Sequence, residues 1–192
     1  MKKTISVLLL SLIVLTISAQ RYTIDPSHTA VTSKVLRFGV VKVVGRFTAV
    51  SGIINFNVGN PAITTADIVI RTDSYIANNA GGEDAVKSPT FLDAKSFPEI
   101  KMTVKRLTKN GQQFIVLASL TIHGVTKDVL FPASINGPLL DLPTQKQSIG
   151  ISGTLVINRD DFGIKMSGRL PSGNDVIGKE VEIEINALAI AG

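Results

Sequence analysis

From Tyr22 to the C-terminus, apolar and polar residues alternate with a period of two in run after run, and the 3.6-residue period of a helix is nearly absent. Side chains of an extended strand point to opposite faces in turn, so each run predicts a strand with one dry and one wet face. Val41, Val43, Gly45, Phe47 and Ala49 fall on the dry side of one run, with Lys42, Val44, Arg46 and Thr48 opposite. Ile68 and Ile70 alternate with Asp67 and Arg71, and Ile100, Met102 and Val104 with Lys101, Thr103 and Lys105. In the last run Val181, Ile183 and Ile185 alternate with Glu180, Glu182 and Glu184, and these carboxylates are expected in water because an unpaired buried charge is too costly.

Further strands are expected over 31–36, 114–122, 127–134 and 149–157, about eight in all. Asn110-Gly111 between two apolar runs predicts a tight hairpin with a type I′ turn, since both central residues tolerate positive φ. Other turns are expected at Gly59-Asn60-Pro61, Asn136-Gly137-Pro138 and Leu142-Pro143, and one short helix between 83 and 92, where alternation lapses. Eight antiparallel strands make a sandwich or a closed barrel, and a closed barrel of that number is filled by side chains or holds one small ligand. Periodicity leaves these alternatives open.

Residues 1–19 interrupt the pattern. Lys2 and Lys3 precede an apolar run from Ile5 to Ile17 and a small-residue end, the plan of a secretory signal peptide. The run falls short of the ~20 apolar residues that span a bilayer, so cleavage near Gln20, export to the periplasm or medium, and no stable membrane insertion are expected. Residues 20–192 are read as one domain. Removing Lys2 and Lys3 leaves 18 basic against 15 acidic residues, a net charge of +3. Because these cations are scattered singly and form no stripe, nucleic acid is not the expected partner.

The chain has no cysteine, which excludes a disulfide framework, a thiol nucleophile, an iron–sulfur cluster, Cys-ligated zinc and a lipidated N-terminal Cys. Its two histidines, His28 and His123, are too few for a three-histidine zinc site, and no Gly-x-Ser-x-Gly elbow is present. Neither a catalytic centre nor a metal site is therefore expected. The run from Gly173 to Lys179 matches seven positions of a phosphate-binding loop, but Glu180 stands where Ser or Thr belongs and a strand follows, so a hairpin loop is expected. Asp25-Pro26-Ser27-His28 has the chemistry of a turn, with the carboxylate accepting backbone N–H groups. Arg159-Asp160-Asp161 reads as a salt-bridged turn, and His123 before Gly124 as a rim residue. Phe47, Phe91, Phe97, Phe114 and Phe131 either fill a core or line a cavity.

Four ordered motifs add a resemblance. Tyr22-Thr-Ile-Asp-Pro-Ser-His28 with Gly45-Arg46-Phe47 and Gly52, then Lys87-Ser-Pro-Thr-Phe91-Leu92-Asp93 with Phe97-Pro98-Glu-Ile100, resemble the YceI-like family of polyisoprenoid-binding proteins. Leu120-Thr-Ile-His-Gly124-Val-Thr-Lys127, and Asn158-Arg-Asp-Asp-Phe162-Gly163 with Val181-Glu-Ile-Glu-Ile185, are similar to its later segments. The resemblance implies an all-β, extended eight-stranded antiparallel lipocalin-like barrel with one or two short helices. It further implies an apolar channel for a long-chain isoprenoid lipid or quinone, an exported protein and a homodimer. On that reading Val41, Val43, Phe47, Phe91, Met102, Phe114 and Phe131 line the channel, while Arg37, Phe38 and His123 stand at its mouth. The chain departs from the usual family pattern at Ser33, Arg37 and Ala85. The alternative is an envelope interaction module with a dry core and no ligand.

Overall fold

The computed structural model describes residues 19–166 and 168–192; the expected leader lies, apart from Ala19, outside the described residues. Alternation becomes ten strands among the described residues: β1 (Gln20–Arg37), β2 (Val41–Phe47), β3 (Val50–Phe56), β4 (Thr65–Arg71), β5 (Tyr75–Ala77), β6 (Glu99–Asn110), β7 (Gln113–Ile122), β8 (Val125–Asp141), β9 (Lys146–Asn158) and β10 (Ile177–Ala191). Eight of them close a ring in the order β1, β3, β4, β6, β7, β8, β9, β10 and back to β1. Every pairing is antiparallel. Closure leaves the ring no free edge for another chain to pair with.

The strand β1 carries the geometry. Along one edge it follows β10 from Tyr22 to Arg37, while its other edge pairs with β3 over Gln20 to Thr23 and with β2 over Val31 to Arg37. The wall therefore changes strands partway up, and β2, joined to β5 through Gly45, Arg46 and Phe47, extends it at one end. We call that the mouth end; it also holds the β7–β8 turn and the β9–β10 connection. The closed end holds the β6–β7 and β8–β9 hairpins, sealed by buried Tyr22, Phe56, Ile149 and Ala191. Burial there pushes the Tyr22 phenol pKa up.

Three expected turns resolve differently. At Asp25-Pro26-Ser27-His28 the carboxylate does accept the Ser27 N–H at 2.9 Å, yet β1 continues through a bulge in which the register jumps from Asp25 against Leu188 to Ala30 against Asn186. Thr29 repairs the ladder: its hydroxyl donates to the Asp25 carbonyl at 2.7 Å and accepts the Leu188 N–H at 3.3 Å. Asn136-Gly137-Pro138 is likewise a bulge inside β8, the place where a strand tolerates proline, with Gly137 at φ 101°. The β6–β7 hairpin forms one residue later than expected: Gly111 and Gln112 are its loop, and only Gly111 has positive φ, at 61°. That is the φ pattern of a type II′ turn with glycine first, not of type I′.

The helix α1 (Ala80–Lys87) starts three residues before the expected position because the Asn79 side chain caps it, accepting the Gly82 N–H at 3.2 Å. It stops at Ser88, since the following Pro89 disfavours helical backbone in the residue before it. On the outer wall Lys34 Nζ reaches Glu182 at 3.1 Å and Glu184 at 2.8 Å, and Lys42 reaches Glu182 at 2.7 Å. Of the terminal-strand carboxylates expected in water, Glu182 and Glu184 are thus partly covered and paired, and Glu180 is exposed.

Candidate functional site

The inward faces of the eight ring strands do not meet. They enclose a cavity of ≈ 850 Å³ that runs from Ile54, Thr64 and Leu107 near the closed end to Arg37, Asn79 and Ile177 at the mouth. Each ring strand contributes aliphatic or aromatic side chains, among them Val35, Ile68, Met102, Leu120, Phe131 and Ile183. The size lies within the range of about 300–1,000 Å³ typical of sites for small organic ligands.

Most polar lining gathers at one end. Arg37 and Lys42 stand on β1 and β2, Asn78 and Asn79 on the connection into α1, and Gly81, Gly82 and Ala85 on the helix itself. One side of the mouth is roofed by the β9–β10 connection, where Phe162 and Ile164 are buried. Arg159 holds this roof. It is 4% exposed, and its five N–H groups donate to Gly178 O, Ile164 O, Met166 O, Ile177 O and the Asp160 carboxylate over 2.5–3.2 Å. Lys179 closes on the other Asp160 oxygen at 2.9 Å and holds that carboxyl below the usual range. What reads as a salt-bridged turn in sequence is thus a buried guanidinium stitching a lid segment to β10. The match to a phosphate-binding loop covers the last part of the same connection and the first three residues of β10, so a strand stands where that loop would need a helix, as expected.

The opposite side is shaped by Tyr75 on β5. Gly45 of β2 lies against its ring so closely that a Cβ there would run into the phenol, and Phe47 meets the ring edge-on at 5.3 Å between centroids. Burial pushes the Tyr75 pKa up, while a hydrogen bond with Ser33 acts against it. Tyr75, Val86, Leu92 and Arg159 all line the cavity, and none was picked out as a lining residue from sequence. The strand holding Tyr75 has three residues, too few to show alternation.

Of the ten residues expected at the channel, Arg37, Val43, Phe47, Phe91, Met102 and Phe131 line it. Val41 and Phe114 stand elsewhere, while Phe38 and His123 sit in turns at the mouth end without lining the cavity. Val41 is 54% exposed, because β2 beyond Gly45 has a neighbour on only one edge and rises past the rim. Phe38 has φ 57° and lies beneath the Arg37 guanidinium, 4.0 Å from its ring centroid. Phe114 packs on the core near the closed end, and His123, at φ 50° in the β7–β8 turn, packs on Phe97 with centroids 4.3 Å apart. Among the described residues no group of three or more His, Asp or Glu is placed to hold a metal, and no helix is long and apolar enough to cross a membrane.

A closed antiparallel barrel around an apolar cavity, open at one end, is the architecture of a lipocalin-like fold. The chain belongs to the YceI-like domain family, whose profile matches residues 22–189. It is 33% identical over 187 residues to a UPF0312 protein of Pseudomonas fluorescens, covering 92% of this chain and 93% of that one. A UPF0312 protein of Pseudomonas putida is 32% identical over 174 residues, 88% and 90% of the two chains. Among solved structures, Burkholderia cenocepacia BcnA superposes with a TM-score of 0.73 at 20% identity, over 86% of this chain and 98% of that one. A polyisoprenoid binding domain from Saccharophagus degradans, implicated in plant cell wall breakdown, superposes with a TM-score of 0.69 at 16% identity, over 89% and 98%.

Proposed function

We propose that the protein is an exported carrier or store for a long-chain amphiphile of isoprenoid type, a polyprenyl compound or isoprenoid quinone, whose tail lies in the barrel cavity. The observation that carries this reading is the cavity itself. Native interiors pack to a density of ~0.74–0.76, and side chains of all eight ring strands that stand apart around a cavity of ≈ 850 Å³ are the opposite of that. Membership of a family with a polyisoprenoid binding domain among its structural neighbours supports the choice of ligand class. A tail of ~40 heavy atoms at roughly 0.3 kcal/mol per atom contributes about 12 kcal/mol, near nanomolar affinity. Binding alone accounts for the site; no chemical step is assigned. Export rests on the leader pattern of residues 1–19 and is checked by sequencing the N-terminus of the mature protein, expected near Gln20.

The test is native mass spectrometry and organic extraction of protein purified from its own host, together with Met102→Trp. Bulk added at a cavity wall has room, so delipidated Met102→Trp is expected to keep its thermal midpoint while the holo preparation loses bound lipid. A filled core predicts the reverse: an overpacking cost of ~1–3 kcal/mol and no extractable lipid, which would leave a ligand-free interaction module. The delipidated reference is essential, because bound ligand raises the midpoint by mass action.

A further inference from the structure

Three cations line the mouth end of the cavity, Arg37, Lys42 and Arg159, and two of them are committed, Arg159 to the roof through all five of its N–H groups. Lys42 Nζ sits 2.7 Å from a Glu182 oxygen, so a fixed carboxylate already neutralises it. Among the described residues, Arg37 has no carboxylate within ion-pair distance and no side-chain hydrogen bond; its one contact is the ring of Phe38, 4.0 Å away. That contact engages the flat face of the guanidinium. All five N–H donors lie in the plane of the group, so stacking leaves them free and holds the plane still.

Local backbone explains why Arg37 is held there. The β1–β10 register shifts between Val35 and Arg37, and such a bulge re-aims the side chain that follows it. Phe38 then turns into left-handed backbone, its N–H donates to Val176 O at 3.0 Å, and the Arg37 carbonyl accepts the Val40 N–H at 3.0 Å. The hairpin that carries the arginine is thus tied to the end of the β9–β10 connection beside it, and its cation stands where an apolar tail in the cavity would end.

We propose that Arg37 is the specificity-determining residue of the cavity and that the amphiphile it selects carries an anionic head, a phosphate or carboxylate, on its apolar chain. The inference rests on the lipid-binding reading above and narrows it: a quinone head would leave a free guanidinium at the mouth with nothing to neutralise it, whereas an anion accepts two parallel charge-assisted hydrogen bonds. Such bonds exceed neutral ones by enough for at least tenfold discrimination.

The experiment titrates delipidated protein with farnesyl monophosphate and with farnesol, which share a tail and differ only in the head. Wild type is expected to favour the phosphate at least tenfold, with the preference falling as sodium chloride is added. Arg37→Gln is expected to lower the affinity for the phosphate at least tenfold more than that for farnesol, and Arg37→Lys to retain part of the preference, since it keeps the charge but not the fork. Equal binding by wild type overturns the proposal and leaves lipid binding standing, as does a preference that survives Arg37→Gln. Equal weakening of both ligands in Arg37→Gln also overturns it, by making Arg37 a structural residue. Should Arg37→Gln not fold, the salt dependence in wild type and the Arg37→Lys ratio decide. Binding of neither ligand overturns the lipid reading itself.

Discussion

Arg37 and Arg159 stand at the same end of one barrel and share a neighbour: Arg37 is paired in register with Ile177, and Arg159 donates to the Ile177 carbonyl. Arg159 is buried with all five donors engaged, four of them by backbone carbonyls. Arg37 is exposed, stacked on one ring and otherwise unengaged among the described residues. The first closes the roof of the cavity and the second faces whatever enters it. Identical chemistry at one rim thus does two jobs, and the number of acceptors the backbone supplies decides which.

The largest expected effect breaks this comparison at its buried member. Arg159→Met removes a charge whose carbonyl partners then lie unpaired under the roof, at a cost of about 3–5 kcal/mol. For a chain of this size each kcal/mol lowers the midpoint by ~2–4 °C, so calorimetry should show a fall on the order of 10 °C. Arg37→Gln should stay within about 0.5 kcal/mol of wild type, the range of ordinary surface changes. Equal losses at the two positions would abolish the distinction.

The next effect divides β2 into a fixed half and a free half. Gly45→Val forces a side chain against Tyr75 in the segment paired with β5, and an overpacking cost of ~1–3 kcal/mol is expected from denaturant titration. Combining it with Tyr75→Ala should recover part of that loss, because the two changes share one contact. Val41→Thr, past the rim on the same strand, should change stability by less than about 0.5 kcal/mol.

The smallest effect sharpens the contrast between paired and unpaired cations. His28 Nδ1 lies 2.6 Å from Asp25, which raises the imidazole pKa above its ordinary 6.5 and lowers the carboxyl below 3.8. The raised histidine contributes stability below 6.5 that is lost as pH rises through its folded value. The lowered aspartate contributes above 3.8 and loses it as pH falls through its own folded value. Thermal midpoints of His28→Ala and wild type should therefore differ most between 3.8 and 6.5 and converge at alkaline pH. Arg37→Gln, which breaks no ion pair among the described residues, serves as the control in the same buffers.

Much of the fold was legible because alternation is local. The dry faces of Ile100, Met102 and Val104 and of Val181, Ile183 and Ile185 do point inward, and all six line the cavity. The motifs marked the family over nearly the whole domain. Less of the site was legible. Tyr75 and Arg159 sit in short or irregular segments whose role comes from distant partners, Gly45 and Ser33 for one and the carbonyls of Ile177 and Gly178 for the other. Val41 had the right parity and failed at the rim, because parity records the face of a strand and not where the barrel stops.

By itself the sequence determined that the chain makes strands with one apolar face each, since a period of two admits no other regular structure. It also excluded every chemistry that needs cysteine. The tertiary structure alone decided that those apolar faces stand apart instead of interlocking. Whether opposing faces touch depends on the number, tilt and stagger of the strands around the ring, and these follow from pairing registers along the whole chain, including the bulges at Asp25 and Gly137 that read locally as turns. Register is a property of pairs. For β1 with β10 and for β4 with β6 no short window of sequence holds both partners, so the cavity, its mouth and the division of labour between Arg37 and Arg159 became visible only when the ring was closed.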